Sequence, residues 1–172
     1  VLILTDDVDE FVIQIINKFE DKEFKSVNQG DLDLLSDEEK KTAEKVQKEN
    51  APLIEKIKAA LGDKVKDVVI SSRLTDSPVC LVSGDGISFE MEKVMNDLPN
   101  GSNVKADRIL EINPNHQIIK VLDSIKDDDE KLKDYSTVLL DQALILEGFK
   151  VENPNEFVQK MCKIMAEANN LQ

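Results

Sequence analysis

Tryptophan is absent from this chain, tyrosine occurs once, at Tyr135, and aromatic residues make up 4% of its 172 positions. Positive charge is also short, with 22 Lys and Arg against 35 Asp and Glu, a net charge of −13. The deficit holds along the whole length. Residues 1–50 hold 14 acidic side chains and 7 lysines, and the remainder holds 21 against 15 basic ones. Without a basic patch, and with few rings to stack, the chain is not expected to bind nucleic acid or an anionic membrane surface. No apolar run approaches the length of a membrane span. The two cysteines, Cys80 and Cys162, lie in apolar contexts without metal-type spacing, so a reduced, cytoplasmic protein with two buried thiols is expected.

Catalytic chemistry has little to draw on. His116 is the only histidine and falls at the third position of a short helix beginning at Asn113-Pro114, where a backbone or surface role is the default. Ser71 and Ser72 therefore lack a partner base. Asp127-Asp128-Asp129-Glu130 has neither the alternating ligands nor the glycine of a calcium loop. Gly84 and Gly86 are not followed by the helical lysine of a phosphate-cradling loop. No metal, no cofactor and no enzymatic activity are expected of this chain.

Apolar patterning is what the sequence does have. Leu132 to Leu146 projects as a helix with three stripes: Leu132, Tyr135, Leu139, Ala143 and Leu146, then Leu140 and Leu144, then Val138 and Ile145. Between Val138 and Leu146 only Asp141 and Gln142 are polar, more grease than one face requires. Asn153-Pro154-Asn155-Glu156 starts a second helix with an Asn cap, Pro first and Glu third, and Phe157, Met161, Ile164, Met165 and Ala168 share its face. The surplus predicts an interface with a second copy. The alternative is one helix central to its own domain.

Upstream, Val1 to Leu4 reads as a strand, Thr5-Asp6-Asp7 as a helix start, and Lys22 to Val27 as an extended piece. This strand–helix–strand unit is too small to fold alone and opens on Val1-Leu2-Ile3-Leu4, as a piece cut from a longer protein would. Asn28 to Leu35 reads as a linker, and Ser36-Asp37-Glu38-Glu39 as a capping box for a helix to Leu61, interrupted at Pro52 and closed by Gly62. Strands follow at Val65–Ser71, Val79–Val82 and Arg108–Ile112, with Lys126–Lys133 as a charged connector. The layout is α+β, a small mixed sheet with helices, in two parts: 1–35 and 36–172.

Gly84 to Pro99 is the remaining stretch of interest. As a helix it sets Ile87, Met91, Val94, Met95 and Leu98 on one face, with Phe89 roughly opposite among polar neighbours. Glycines at both ends, Gly84 and Gly86, then Gly101, offer hinges. Such an element is a lid, a core helix or an adaptable handle, since methionine suits unspecific apolar contact.

Four ordered blocks carry a resemblance: Ser72-Arg73-Leu74-Thr75-Asp76-Ser77-Pro78-Val79, Glu90-Met91-Glu92-Lys93-Val94-Met95, Leu110-Glu111-Ile112-Asn113-Pro114-Asn115-His116, and Leu139-Leu140-Asp141-Gln142-Ala143-Leu144. In order and spacing the chain resembles the ninety-kilodalton heat-shock chaperones, most closely the bacterial type, over essentially its whole length. The resemblance implies a homodimeric chaperone driven by ATP and Mg bound in a domain not represented here. Residues 1–35 then correspond to the end of an α/β middle domain, and 36–172 to a C-terminal dimerisation domain. Its two last helices would join those of a second copy in a four-helix bundle. Ile87, Phe89, Met91, Val94, Met95 and Leu98 would touch unfolded or partly folded client proteins. Ile87 departs from cytosolic eukaryotic members, which carry an aromatic residue there, and the ending Asn169-Asn170-Leu171-Gln172 lacks their acidic co-chaperone-binding tail. The other reading is a structural oligomerisation module in which residues 87–98 are ordinary core.

Overall fold

The computed structural model describes residues 2–25, 37–98 and 103–169. The expected linker 28–35 and the capping-box side chains 36–39 lie outside what is described. The chain divides into two compact units, one gathering residues 1–34 and 83–107, the other residues 35–82 and 108–172.

In the first unit, α1 spans Asp7–Ile16 and ends at Asn17, whose left-handed backbone (φ 47°) sends its N–H to Ile13 O at 2.8 Å. Asparagine tolerates that conformation better than most residues. Strands β1 (Lys18–Phe19) and β2 (Lys22–Glu23) pair antiparallel around Glu20 and Asp21, both at positive φ, the geometry of a two-residue hairpin turn. The expected strand–helix–strand unit is thus corrected to a helix followed by a hairpin. Residues 2–4 are not a strand; they are exposed and without regular structure, because a strand exists only where a neighbouring one takes its backbone hydrogen bonds. Helix α3, Phe89–Asp97, packs against α1.

The second unit is built on a three-stranded sheet in the order β3 (Asp67–Ile70), β5 (Arg108–Ile112), β4 (Val79–Ser83). Strands β3 and β5 run parallel, with Val68 opposite Leu110 and Ile70 opposite Ile112. Bonds from Asn113 N to Pro78 O (2.9 Å) and from Gly84 N to Asp107 O (3.1 Å) bracket β4 and β5 in opposite order, making that pairing antiparallel and the sheet mixed. Helix α2, Asp37–Leu61, packs on β3 through Leu53, Ile54, Ile57 and Leu61, all buried. It runs unbroken through Pro52, so the expected interruption is corrected; the ring costs a backbone donor, and the buried turns after it hold the helix together. Gly62 turns the chain at φ +55°, as its C-cap reading requires.

Asn113, fully buried, fastens the loop before β4 by donating from Nδ2 to Thr75 O (3.0 Å) and Ser77 O (3.1 Å), and its Oδ1 accepts from Asn115 N. Helix α4 therefore starts later than the Asn-Pro signal suggested, at Gln117–Ser124, and His116 is its N-cap, with Nδ1 accepting from Ile118 N at 3.1 Å. Helix α5, Asp129–Leu146, begins inside the expected connector because Asp128 caps it through Lys131 N. It closes on Gly148 (φ 79°), with Phe149 N to Leu144 O and Gly148 N to Ile145 O as the paired bonds of a Schellman stop. Helix α6, Pro154–Asn169, begins as read, Asn153 Oδ1 accepting from Glu156 N at 3.2 Å.

Candidate functional site

Two apolar surfaces and one polar cluster are the candidates. The first surface lies on α5 and α6, which pack on each other. Of the residues expected at an interface, Leu132, Leu139, Leu140 and Ala143 are buried within the chain, while Tyr135, Leu144, Phe157, Met161 and Ile164 are half-buried. Leu146 and Met165 stand in solvent, joined by Ile145 and by Val158, which the sequence reading did not single out for an interface. Cys162 is exposed one turn from Val158 and Cys80 is half-buried, so the expectation of two buried thiols fails for both; α5 covers only one side of α6. Charges hold the rim of the pair. Lys163 Nζ reaches Asp134 (2.8 Å) and Glu130 (2.9 Å), which hold its pKa up, and Lys160 Nζ reaches Glu156 (2.8 Å) and Asp134 (3.6 Å). The bond to Lys160 holds the Glu156 carboxyl below the usual range. Asp141 is pushed the other way by burial, against the pull of Lys64 and Lys160.

The second surface is α3. It is shorter than residues 87–98, because Ser88 Oγ caps it by accepting from Met91 N at 3.1 Å. Phe89 is 0% exposed and Met91 5%, Ile87, Val94 and Met95 are half-buried, and Leu98 is in solvent. Phe89 thus corrects the helical projection, which set it among polar neighbours. One of those neighbours, Glu92, is itself buried, with Oε2 accepting from Ala106 N at 2.7 Å. A satisfied carboxylate reads as surface in a sequence and is not.

The polar cluster is centred on Glu111 of β5. Its Oε2 accepts from Ser71 Oγ (2.8 Å), Arg73 Nε (3.0 Å) and Cys80 Sγ (3.6 Å), while Ser71 Oγ accepts from Leu74 N (3.2 Å). Burial and the Glu111 charge push the Cys80 thiol to about 12, so it is no nucleophile. Burial acts to lower the Arg73 pKa, but the Glu111 carboxylate and Cys80 together more than offset it. The cluster moors the 71–78 loop to the sheet. Among the described residues no group of three or more His, Cys, Asp or Glu could hold a metal, and no helix is long and apolar enough to cross a membrane.

A family model described as Hsp90 protein matches residues 1–172. The chain belongs to the Hsp90 family. It is 44% identical over 166 residues to chaperone protein HtpG of Bacillus subtilis (strain 168), covering 96% of this chain and 26% of that protein. The HtpG proteins of Clostridium botulinum (strain Langeland / NCTC 10281 / Type F) and Alkaliphilus oremlandii (strain OhILAs) are 48% and 46% identical over the same shares. The chain spans about a quarter of the length of these curated relatives. In this Hsp90-family chain the blocks that carried the resemblance fall on different features. Ser72–Val79 and Leu110–His116 supply Arg73, Glu111 and Asn113, which tie the loop to the sheet. Glu90–Met95 lies in α3 and Leu139–Leu144 in α5. Sequence reasoning missed Glu92, Asn96 and Glu111 as organising residues. Only Glu111 carried a signal, a carboxylate flanked by apolar residues in Leu110-Glu111-Ile112; Glu92 and Asn96 carried none.

Proposed function

We propose that this chain is the C-terminal dimerisation and client-contact region of an ATP-dependent molecular chaperone, without catalytic activity of its own. Membership of the Hsp90 family and similarity to proteins named chaperone protein HtpG support the chaperone assignment. The observation that carries the rest is the apolar row left in solvent on α5 and α6: Ile145, Leu146, Val158 and Met165. Two copies apposed on a two-fold axis through these faces form a four-helix bundle that hides both rows. On this reading residues 1–35 end a middle domain and 36–172 form the dimerisation domain. ATP and Mg are bound elsewhere in the whole chaperone, which acts in the cytoplasm. Clients meet α3 at Val94, Met95 and Leu98, with Ile87 beside its start, while buried Phe89 and Met91 anchor the helix. Two such helices in one dimer raise apparent affinity without strong single contacts.

The burial of Phe89 and Met91 favours a second reading, in which α3 is core of a purely structural oligomerisation module. Sedimentation together with suppression of client aggregation tests both. The chain should be dimeric at about 10 µM, and a Leu98→Ser variant should suppress aggregation less at unchanged Tm. A monomeric chain removes the dimer; unchanged suppression leaves α3 to the structural reading.

A further inference from the structure

Residues 103–107 run back alongside α3 on their way into β5. After Asn103, whose backbone is left-handed (φ 48°), the side chains alternate in burial as in an extended chain, Val104 half-buried and Ala106 buried, with 105 and 107 exposed. Two side chains of α3, one helical turn apart, bind this segment at alternate residues. Glu92 Oε2 accepts from Ala106 N at 2.7 Å. The Asn96 amide bonds both sides of Val104, with Oδ1 accepting from its N–H at 2.9 Å and Nδ2 donating to its carbonyl at 2.8 Å. The spacing matches because four helical residues advance ~6 Å and two extended residues ~6.6 Å. Glu92 and Asn96 therefore form a ladder between a helix and an extended chain, as strand neighbours do between strands. A third tie, Gly84 N to Asp107 O, continues the series, and a side chain at 84 would meet Asp107 Cβ at 3.0 Å.

We infer that Glu92 and Asn96 are positioning residues: a register lock that joins α3 to residues 103–107 as one rigid cassette and fixes which side chains the helix offers to a client. A buried carboxylate on a backbone N–H and a side-chain amide bonded twice to one residue leave α3 neither sliding nor rotating on its return segment. Slippage by one residue would turn the helix by about 100° and carry Val94 and Leu98 off the solvent side. The adaptable part of the surface is then its side chains, and the helix is fixed. The inference rests on the reading of α3 as the client-contact element.

The test compares Asn96→Ala, Asn96→Asp, Glu92→Gln and Leu98→Ser in the whole chain. Amide exchange at Val104 and Ala106 reads the lock, and suppression of aggregation of heat-unfolding citrate synthase, below every variant's Tm, reads client contact. Asn96→Ala should speed exchange at Val104 about tenfold, the loss of a net hydrogen bond, and lower suppression at least as much as Leu98→Ser. Asn96→Asp keeps the acceptor, so Val104 N–H should stay within about twofold of the parent. If Asn96→Ala fails to fold, Glu92→Gln carries the test: loss of the charge on that acceptor should speed exchange at Ala106 about threefold, and unchanged exchange there overturns the lock. Exchange unchanged in Asn96→Ala overturns the lock. Faster exchange with suppression intact, while Leu98→Ser lowers it, overturns the positioning role and leaves the client reading standing. Faster exchange with Leu98→Ser inert overturns the client reading instead, leaving a lock that positions nothing.

Discussion

In the dimer proposed above, replacing Met165 by glutamate should separate the two copies while leaving each protomer folded. Ile145, Leu146, Val158 and Met165 are 48%, 72%, 55% and 62% exposed, together roughly two whole apolar side chains left in water. At about 1.5–3 kcal/mol per side chain fully buried, covering them returns about 3–7 kcal/mol per protomer and twice that in a two-fold dimer. Association costs about 4–15 kcal/mol, so the exposed row alone gives a marginal dimer. On the proposed interface the half-buried Leu144, Phe157, Met161 and Ile164 supply the remainder. Removing the exposed part of Met165 forfeits ~1–2 kcal/mol per protomer, or ~2–4 kcal/mol in the dimer, a rise in Kd of about 30- to 700-fold. The new carboxylates and their desolvation add to that. Sedimentation equilibrium across about 0.1–100 µM resolves such a change, and the separated protomer should still unfold cooperatively, at a Tm below the parent's only by the association energy it has lost. The control is Leu140→Glu, which puts a charge into the chain's own core and should unfold the protomer. A Met165→Glu chain that dimerises as tightly as the parent would refute the assigned face.

Met91→Ala should lower unfolding free energy by about 2–5 kcal/mol in urea, whereas Leu98→Ser should stay within about 0.5 kcal/mol; equal costs would mean α3 is packed differently. Cys80, pushed to about 12, is thiolate in only about one molecule per thousand at pH 9. In a Cys162→Ser background a thiol reagent should therefore modify Cys80 only on unfolding, and Glu111→Gln should make it more reactive; rapid native labelling of Cys80 would contradict the cluster. Asp141 has its folded pKa raised, so its charge opposes folding at neutral pH and the penalty is relieved as pH falls through the raised value. Asp141→Asn should raise Tm at pH 7 and lose that advantage towards the ordinary aspartate range; an unchanged or lower Tm at pH 7 would count against it. Glu156 has the opposite sign, its contribution present above the ordinary glutamate range and lost as pH falls through its lowered value.

The sequence by itself determined what neighbouring residues can settle. The α6 start at Asn153-Pro154-Asn155-Glu156, the turn at Gly62, β5 at Arg108–Ile112 and the amphipathic half of α2 all follow from caps, propensity and period. These signals act over a few residues, so a linear reading reaches them. Only tertiary structure decided which apolar stripe of α5 the chain consumes and which it leaves over: Leu139 and Leu140 are buried while Ile145 and Leu146 are exposed, though all four are equally greasy in the sequence. It also turned Phe89 inward, and it buried Glu92 because a backbone N–H fourteen residues away, at Ala106, donates to its carboxylate. Glu111 draws its partners from 31 to 40 residues away, at Cys80, Arg73 and Ser71. Glu92 and Glu111 can be buried because such distant partners arrive, and no local pattern records whether they do.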